Sequence, residues 1–402
     1  MNSTELVNLI LSEIRKVTGP YSKANPVVLH EPNFNKTKAS KYVEDCLNNG
    51  WVSSAGSWVR KFEDLICKYT KAKYAIAITN GTDALRLALH VMGVKRGDEV
   101  LLPSLSFIAT ANAISHLGAI PHFIDIENKS MGMSPKALQK ELDLIGIRKD
   151  NCIFNRKTGR RISAILPVHI FGHPAEIIKI QSISKEWNLP IIEDAAEALG
   201  SWIIDKKKEI HCGLIGDMGI ISFNGNKIIT TGGGGVIITD NEDKALKARH
   251  LSTTAKIDHP WEYDHDQIGW NDRLPNINAA LGVAQLERIE TLISNKRKLA
   301  NLYREKFKDF QDIEIIEEPI NTLSNYWLVT LRFKSSNIKS VELIRNNLLQ
   351  ESHKAGLMLR PTWKPLHKLK PYLKCPKGNL NNAEEQHLRL INLPSSPQIM
   401  DN

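Results

Sequence analysis

The chain has 402 residues, a length typical of two or three domains, with 42% hydrophobic and 24% charged residues as in a soluble globular protein. It has no apolar run near the roughly 18 residues of a membrane span. The five cysteines are scattered without a C-x-x-C pair, so we expect reduced thiols in a cytoplasmic protein, with no metal site. The net charge of +9 is spread along the chain, which disfavours nucleic-acid binding and leaves a lysine-rich surface or an anionic substrate open.

The first predicted elements are helices. Residues 1–20 are unlike a secretory signal, and their apolar positions fall on one helical face, at Leu6, Leu9, Ile10 and Ile14. After a loop at 19–26, the helical pattern returns from about 38 to 70, with a turn-rich interruption at 48–57. We therefore predict an N-terminal helical extension over residues 1–25.

From residue 74 onward, short apolar strands alternate with helices. The predicted strands cover 74–79, 99–104, 120–126, 161–170 and 189–195, and the predicted helices cover 81–93, 107–118 and 175–188. This alternation is typical of a mainly parallel sheet with crossover helices, which binds ligands at the carboxyl ends of its strands. It predicts a large α/β domain over residues 26–255.

The pattern changes after about residue 255. One long helix is predicted over 277–310, followed by a strand at 325–333 and a helix near 337–352. We predict a smaller C-terminal α+β domain over residues 256–402.

A single lysine, Lys227, precedes four consecutive glycines, Gly232 to Gly235. A Walker phosphate loop has its glycines before the lysine and a helix after it. Here the glycines follow the lysine and the strand-like GVIITD comes next, so that interpretation fails. Lysine can instead bond covalently to an aldehyde cofactor such as pyridoxal 5'-phosphate (PLP).

A PLP site also needs an acid for the ring nitrogen, donors for the phosphate and a flat side chain against the ring. Asp194 ends a predicted strand and can serve as the acid. Gly81 and Thr82 stand where a strand meets a helix, and Ser222 precedes the lysine by five residues. Phe107 can stack on the ring. Each has a plain alternative as a turn, cap or core residue, but their order together favours a PLP site.

Six segments resemble the DegT/DnrJ/StrS family of sugar aminotransferases. They are NGTDALRLAL (80–89), PSLSFIATANAI (103–114), PVHIFGHPA (167–175), IIEDAAEALGS (191–201), SFNGNKIITTGGGG (222–235) and GWNDRLPNINAALGVAQLE (269–287). The resemblance implies PLP-dependent transferase fold type I, as in aspartate aminotransferase. That fold has a large α/β domain with a mainly parallel sheet and a small α+β domain.

The resemblance also implies residue roles. Lys227 would carry the cofactor, Asp194 would bind its ring nitrogen, and Thr82 and Ser222 would bind its phosphate. Asn271 matches an asparagine that reaches the phosphate across a dimer interface, which implies a homodimer with shared active sites.

Two further positions are informative. Glu197 stands where the family usually has glutamine or histidine beside the pyridine hydroxyl, although some branches have glutamate there. His169 matches a histidine near the active site. Lys227 itself favours transamination, because histidine replaces the lysine in the dehydratase members.

Three flanking segments are similar to the LegC-like branch of the family: LHEPNF (29–34), GWVSSAGSWVRKFE (50–63) and LRPTWKPLHKLKPY (359–372). Enzymes of that branch aminate C4 of a UDP-4-keto-6-deoxy-N-acetylhexosamine during surface-glycan synthesis. Arg360, Trp363 and His367 are then candidates for substrate contact, with a structural loop as the alternative.

The implied reaction uses L-glutamate as the amino donor, the pyridoxamine form of the cofactor as carrier, and a UDP-linked 4-keto-6-deoxy sugar as acceptor. Three alternatives stay open: a perosamine-type aminotransferase acting on GDP-linked 4-keto-6-deoxymannose, a PLP sugar dehydratase, and a regulator without catalysis.

Overall fold

The structure, a computed structural model, describes residues 3–401, so residues 1, 2 and 402 of the predicted terminal segments lie outside it. The helices are α1 Ser3–Thr18, α2 Ala39–Asn48, α3 Ser57–Thr70, α4 Gly81–Val91, α5 Ala109–His116, α6 Pro135–Ile145, α7 Ile177–Trp187, α8 Glu242–Ser252, α9 Asn276–Leu286, α10 Ile289–Phe307, α11 Ile338–Ala355 and α12 Asn381–Arg389. The strands are β1 Tyr74–Ile78, β2 Glu99–Pro103, β3 Ile120–Ile124, β4 Gly146–Lys149, β5 Cys152–Asn155, β6 Arg161–Ile165, β7 Ile192–Asp194, β8 Trp202–Asp205, β9 Lys208–His211, β10 Met218–Ser222, β11 Gly235–Thr239, β12 Ile313–Ile315, β13 Thr322–Leu323, β14 Val329–Phe333, β15 Arg360–Pro361 and β16 Leu390–Leu393.

The central sheet has the order β3-β2-β6-β7-β10-β11-β1. A parallel bridge between Ile165 and Ile191 joins its two halves. Strand β11 runs antiparallel to both of its neighbours, and the other pairs are parallel. The predicted mainly parallel sheet is confirmed, and the carboxyl ends of six strands meet at one edge.

Successive side chains of a strand point to opposite faces of the sheet, and both faces are covered here. Ile76 and Ile78 of β1 belong to a buried cluster with helices α4, α5 and α8. Ala75 and Ala77 of the same strand belong to a second cluster with helices α3, α7 and α9. Such burial on both faces explains why these strands are short apolar runs without alternation.

The C-terminal part contains the antiparallel sheet β12-β14-β16-β15. Ile10 and Ile14 of α1 lie in its core beside Tyr303 and Phe307 of α10, so the N-terminal helix packs with the C-terminal unit. Helix α9, predicted within that unit, packs against α2 and α3 instead. The boundaries at residues 25 and 255 stay predictions, since packing crosses both.

Some elements differ from the sequence-based expectation. The helix predicted over 277–310 is broken between α9 and α10, where Arg288 leaves helical geometry at φ −119° and ψ 6°. The hydroxyl of Tyr42 donates to the carboxylate of Glu287 at this break. Exposed strands such as β4 and β9 escaped prediction, because their mostly solvated residues carry no apolar signal. No helix in residues 3–401 is long and apolar enough to cross a membrane.

Candidate active site

A pocket of about 340 Å³ lies at the carboxyl edge of the central sheet. It brings together eight of the predicted site residues: Gly81, Thr82, Phe107, Asp194, Glu197, Ser222, Lys227 and Trp363. Two larger clefts, of about 1160 and 660 Å³, contain none of the predicted residues. The convergence of chemically suited side chains, rather than size, marks this pocket as the candidate active site.

Lys227 enters the pocket from the turn that follows β10. Its backbone N–H donates to the carbonyl of Asn224 at 3.0 Å. The side chain is only 13% exposed, and Nζ lies 3.4 Å from Oε1 of Glu197. On another side, Nζ lies 3.9 Å from the ring centroid of Trp327. The lysine amine is therefore held inside the pocket by a carboxylate and an aromatic ring.

Asp194 ends β7 and faces the same pocket. The hydroxyl of Thr110 donates to its Oδ2 at 2.8 Å, and the N–H of Ala196 donates to its Oδ1 at 3.2 Å. Burial raises the pKa of Asp194, against the lowering effect of these donors and of the charge on Lys227. Because a carboxylate can accept about four hydrogen bonds, Asp194 retains acceptor capacity toward the pocket.

Glu197 follows on the turn after β7. Its Oε2 accepts from the backbone N–H of Phe171 at 2.8 Å. Phe171 has a φ of 58°, a value that is uncommon for a bulky side chain. Burial raises the pKa of Glu197 to about 7, against the opposing charge of Lys227. A carboxyl group that titrates near neutrality thus faces the lysine amine.

The N-terminus of α4 forms another wall. Asn80 caps the helix through a hydrogen bond from the N–H of Asp83 to its side chain at 2.9 Å. The first turn of a helix leaves backbone N–H groups unused, here those of Gly81 and Thr82, which suits an anion such as phosphate. A Cβ on Gly81 would lie 3.0 Å from Cβ of Ser222, so glycine allows the serine hydroxyl to approach this turn.

The glycine run after Lys227 supports the same wall. A Cβ on Gly235 would lie 2.6 Å from the carbonyl carbon of Asn80, too close for any other residue. The backbone of Gly235 therefore passes close to the start of α4. The glycines are not themselves among the residues that line the pocket.

Three other predicted residues do not reach the pocket. His169 is fully buried behind β7, where its Nε2 lies 2.9 Å from Oε2 of Glu193 and its Nδ1 accepts from the N–H of Ala175 at 3.1 Å. His367 is bound between the Ser104 hydroxyl at 2.6 Å and a Glu384 oxygen at 2.9 Å, and burial lowers its pKa. Arg360 is exposed on β15.

Only Trp363 of the 359–372 segment reaches the pocket. Its ring stacks on Phe171 with centroids 5.4 Å apart and planes 20° from parallel. The ring of Phe107, which is 52% exposed, lies 6.3 Å away. Both positions suit contact with a flat or apolar part of a ligand.

Asn271 lies outside the pocket of its own chain. It is exposed, and its Oδ1 accepts from Arg273 at 3.4 Å. The neighbouring Asp272 binds Arg86 of α4, and its carbonyl accepts from the N–H of Thr79 at 2.8 Å. These contacts fix the segment beside α4, and a role for Asn271 across a dimer interface stays a prediction.

Ten of the residues that line the pocket were not predicted, and the side chains of two of them contact Asp194 or Lys227. Thr110 binds the oxygen of Asp194, and its position within PSLSFIATANAI, three residues after Phe107, was the available signal. Trp327 faces Lys227 from a turn before β14, where the sequence had predicted a strand interior. No sequence pattern distinguishes this tryptophan from a core residue.

The side chains present fit PLP. Asp194 has a free acceptor position for a ring N–H, the first turn of α4 offers donors for a phosphate, and Lys227 offers an amine between the two. When bound, PLP supplies an aldehyde for amine exchange and a ring that accepts electron density. Residues 3–401 contain no group of His, Cys, Asp and Glu suited to a metal ion.

Comparison with known proteins identifies the family. Residues 34–402 match the DegT/DnrJ/EryC1/StrS aminotransferase family. The chain is 35% identical to GDP-perosamine synthase of Escherichia coli O157:H7, over 93% of this chain and 94% of that protein. It is 34% identical to the putative pyridoxal phosphate-dependent aminotransferase EpsN of Bacillus subtilis, over 84% and 81% of the two chains.

Solved structures agree with this fold. A DegT DnrJ EryC1 StrS aminotransferase from Brucella abortus superposes with a TM-score of 0.78 at 28% identity, covering 90% of this chain and 94% of the other. The Helicobacter pylori aminotransferase PseC gives a TM-score of 0.79 at 24% identity, over 92% and 93% of the chains, and supports the fold alone. The chain therefore belongs to the DegT/DnrJ/EryC1/StrS aminotransferase family and is a PLP-dependent sugar aminotransferase.

Proposed function

We propose that this enzyme transfers the amino group of L-glutamate to C4 of a nucleotide-linked 4-keto-6-deoxy sugar. The observation that carries the proposal is the convergence of Lys227, Asp194 and the α4 N-terminus in one pocket. The relatives named as GDP-perosamine synthases support a sugar acceptor.

The chain's own residues then have distinct tasks. Lys227 would hold the cofactor through its amine and, when that amine is free, would act as the base that moves a proton. Asp194 holds the proton on the ring nitrogen, since only a cationic ring withdraws electrons well. Thr82 and Ser222 fix the phosphate and thereby the orientation of the ring.

Two nucleotides are candidates. Relatives from Escherichia coli, Vibrio cholerae and Caulobacter vibrioides, at 35%, 32% and 33% identity, are named GDP-perosamine synthase and favour GDP-linked 4-keto-6-deoxymannose. The segments at 29–34, 50–63 and 359–372 resemble the LegC-like branch and favour a UDP-linked N-acetylhexosamine. The three segments and the named relatives therefore favour different nucleotides, and both sugars remain candidate substrates.

A paired assay tests the proposal. The purified enzyme is given L-glutamate with either the GDP-linked or the UDP-linked 4-keto-6-deoxy sugar, and 2-oxoglutarate and the amino sugar are quantified. We expect both products in equal amounts with one of the two sugars, and neither product with Lys227→Ala. Loss of water from the sugar without 2-oxoglutarate would instead identify a dehydratase.

We also propose that the active form is a homodimer in which Asn271 completes the neighbouring site. Its exposure and its fixed position beside α4 support this arrangement. Mixing inactive Asn271→Ala and Lys227→Ala subunits should restore about a quarter of wild-type activity, because half of the dimers are mixed and each has one intact site. Activity that stays absent in mixtures shown to exchange subunits would contradict a shared site.

A further inference from the structure

We propose that Trp327 is a catalytic residue whose indole face seats the amine of Lys227 while that lysine is not bonded to the cofactor, and that buried Lys296 positions this ring. The inference rests on PLP-dependent amino transfer and not on the identity of the sugar. Every such reaction includes a stage in which the lysine is free.

The contact itself is close and shielded from water. Nζ of Lys227 lies 3.9 Å from the centroid of the Trp327 ring, well within the roughly 6 Å range of cation–π contacts. Trp327 is 4% exposed and the side chain of Lys227 is 13% exposed. Tryptophan offers the strongest attraction of the aromatic side chains, and exclusion of water strengthens it further.

Trp327 also holds the chain segment that carries the lysine. Its indole N–H donates to the carbonyl of Asn226, the residue before Lys227, at 2.6 Å. One side chain therefore contacts both the amine and the backbone of the lysine turn. This double contact distinguishes Trp327 from a core aromatic residue that only fills space.

Asn325 links Glu197 and Trp327, the two residues that contact the amine of Lys227. Its side-chain carbonyl accepts from the N–H of Trp327 at 2.7 Å, and its side-chain amide donates to the carbonyl of Glu197 at 2.8 Å. Glu197 approaches the lysine amine from the other direction, at 3.4 Å. One buried amide thus joins the backbones of Glu197 and Trp327.

Lys296 fixes the backbone of Trp327 from behind. Lys296 is 1% exposed, and burial rather than a charged neighbour accounts for its shifted pKa. Burial lowers the pKa of Lys296 well below its usual value. The Lys296 amine donates to the carbonyl of Trp327 at 2.9 Å and to the carbonyl of Ser395 at 2.5 Å, which ties the backbone of Trp327 to the end of the chain segment at Ser395.

A buried histidine lies beside Lys296 without accepting a hydrogen bond from it. His30 lies near both Lys296 and Lys227, and its pKa is lowered by burial first and then by these two amines. Its ring nitrogens have no hydrogen-bond partner among the described residues. The hydrogen bonds of the Lys296 amine therefore go to the carbonyls of Trp327 and Ser395.

A fixed position for the Lys227 amine matters because lysine has a long and flexible side chain. Without contacts, its free amine samples many rotamers. Held between Glu197 and Trp327, the amine starts each proton transfer from one position. Such orientation is a recognised source of rate enhancement.

Chemical labelling of Lys227 tests the seat without measuring activity. The enzyme is loaded with pyridoxamine phosphate, which leaves the lysine unbonded, and an amine-reactive reagent is followed at Lys227 by peptide mass spectrometry. Because the contact is expected to protect the amine, Trp327→Leu should raise the labelling rate roughly 2- to 30-fold. Trp327→Phe and Trp327→Tyr, which retain an aromatic face, should keep most of the protection.

A matched control is available on the surface. Lys71 lies 4.8 Å over the ring of Trp202, so Trp202→Leu removes a similar lysine–tryptophan contact outside the pocket. This control should leave labelling of Lys227 unchanged. Equal labelling rates of Lys227 in wild type and Trp327→Leu would overturn the proposal. It would also be overturned if the Phe and Tyr variants were labelled at Lys227 as fast as the Leu variant.

The role of Lys296 is tested by asking whether the effects of substituting Lys296 and Trp327 on the labelling of Lys227 add up. Lys296→Met, or Lys296→Gln if the first variant folds poorly, should raise labelling of Lys227 by less than Trp327→Leu does. The double variant with Trp327→Leu should show no further increase, because Lys296 acts through the ring. Additive increases would show that Lys296 acts elsewhere and would remove it from the proposal.

Discussion

Glu193 and Asp194 are neighbours on β7, yet they face opposite sides of the central sheet and have opposite environments. Glu193 points away from the pocket and has four donors: His169 and the N–H groups of Gly213, Ile215 and Gly216. Asp194 points into the pocket and has two donors, Thr110 and the N–H of Ala196.

The two pKa shifts follow from this difference. Burial alone would raise the pKa of Glu193, but the bonds from His169 and the backbone lower it overall. Burial raises the pKa of Asp194, because fewer donors oppose it. A carboxylate that is saturated with donors serves the fold, whereas one with spare acceptor capacity beside a pocket is ready for a ligand.

The largest expected effect is the loss of turnover when a residue that faces the pocket is replaced. Lys227→Ala removes the amine that bonds to the cofactor and moves the proton, so turnover should fall by roughly 10³- to 10⁶-fold. The visible absorbance of bound PLP that depends on the covalent bond should disappear, while circular dichroism stays native. Retained absorbance and turnover would show that the pocket face does not carry the chemistry.

Asp194→Asn should be the next most severe change for activity. It removes the negative charge that holds the ring proton, and a lost buried charge partner is worth about 3–5 kcal/mol, or roughly 10²- to 10⁴-fold in turnover. Stability without cofactor should not fall, because the raised pKa means that the charged form is disfavoured by burial. A urea titration of the cofactor-free protein checks this, and marked destabilisation would break the comparison with Glu193.

Glu193→Ala should instead affect folding. Four donors, including His169, would lose their acceptor in a fully buried place, so the free energy of unfolding should fall by about 3–5 kcal/mol. Glu193→Gln keeps size and one acceptor oxygen and should cost less. Urea denaturation measures both, and a neutral effect of the alanine variant would mean that this carboxylate does not hold the 213–216 loop.

The smallest effect concerns pH. The pKa of Glu197 is raised by burial from 4.5 to about 7, so its contribution to stability is fully present below pH 4.5 and is lost as pH rises through 7. Relative to Glu197→Gln, wild type should therefore lose up to about 3 kcal/mol of unfolding free energy between pH 5 and 8. A difference that does not vary with pH would show that Glu197 is not held in this shifted state.

The structure brings the predicted cofactor residues of one chain together in the pocket, apart from Asn271, whereas only Trp363 of the predicted substrate residues reaches it. Lys227, Asp194 and Thr82 stand at strand–turn and strand–helix junctions, where a parallel sheet brings separate segments to one edge. His169 and His367 have equally suitable chemistry, but each is bound by a buried carboxylate or hydroxyl partner that the sequence does not reveal. A histidine in a motif therefore does not show which way its ring points.

The sequence by itself determined the sheet class and predicted the chemistry of Lys227 and the order of the cofactor residues, because short apolar runs, helical patterns and junction motifs are local. Only the tertiary structure decided that Trp327 covers Lys227, that buried Lys296 donates to the backbone of Trp327, and that Glu193 and Asp194 face opposite sides of the sheet. The contact of Trp327 with the lysine turn, for example, joins residues that are 101 positions apart, Asn226 and Trp327. Such contacts depend on packing and burial, which no local pattern encodes.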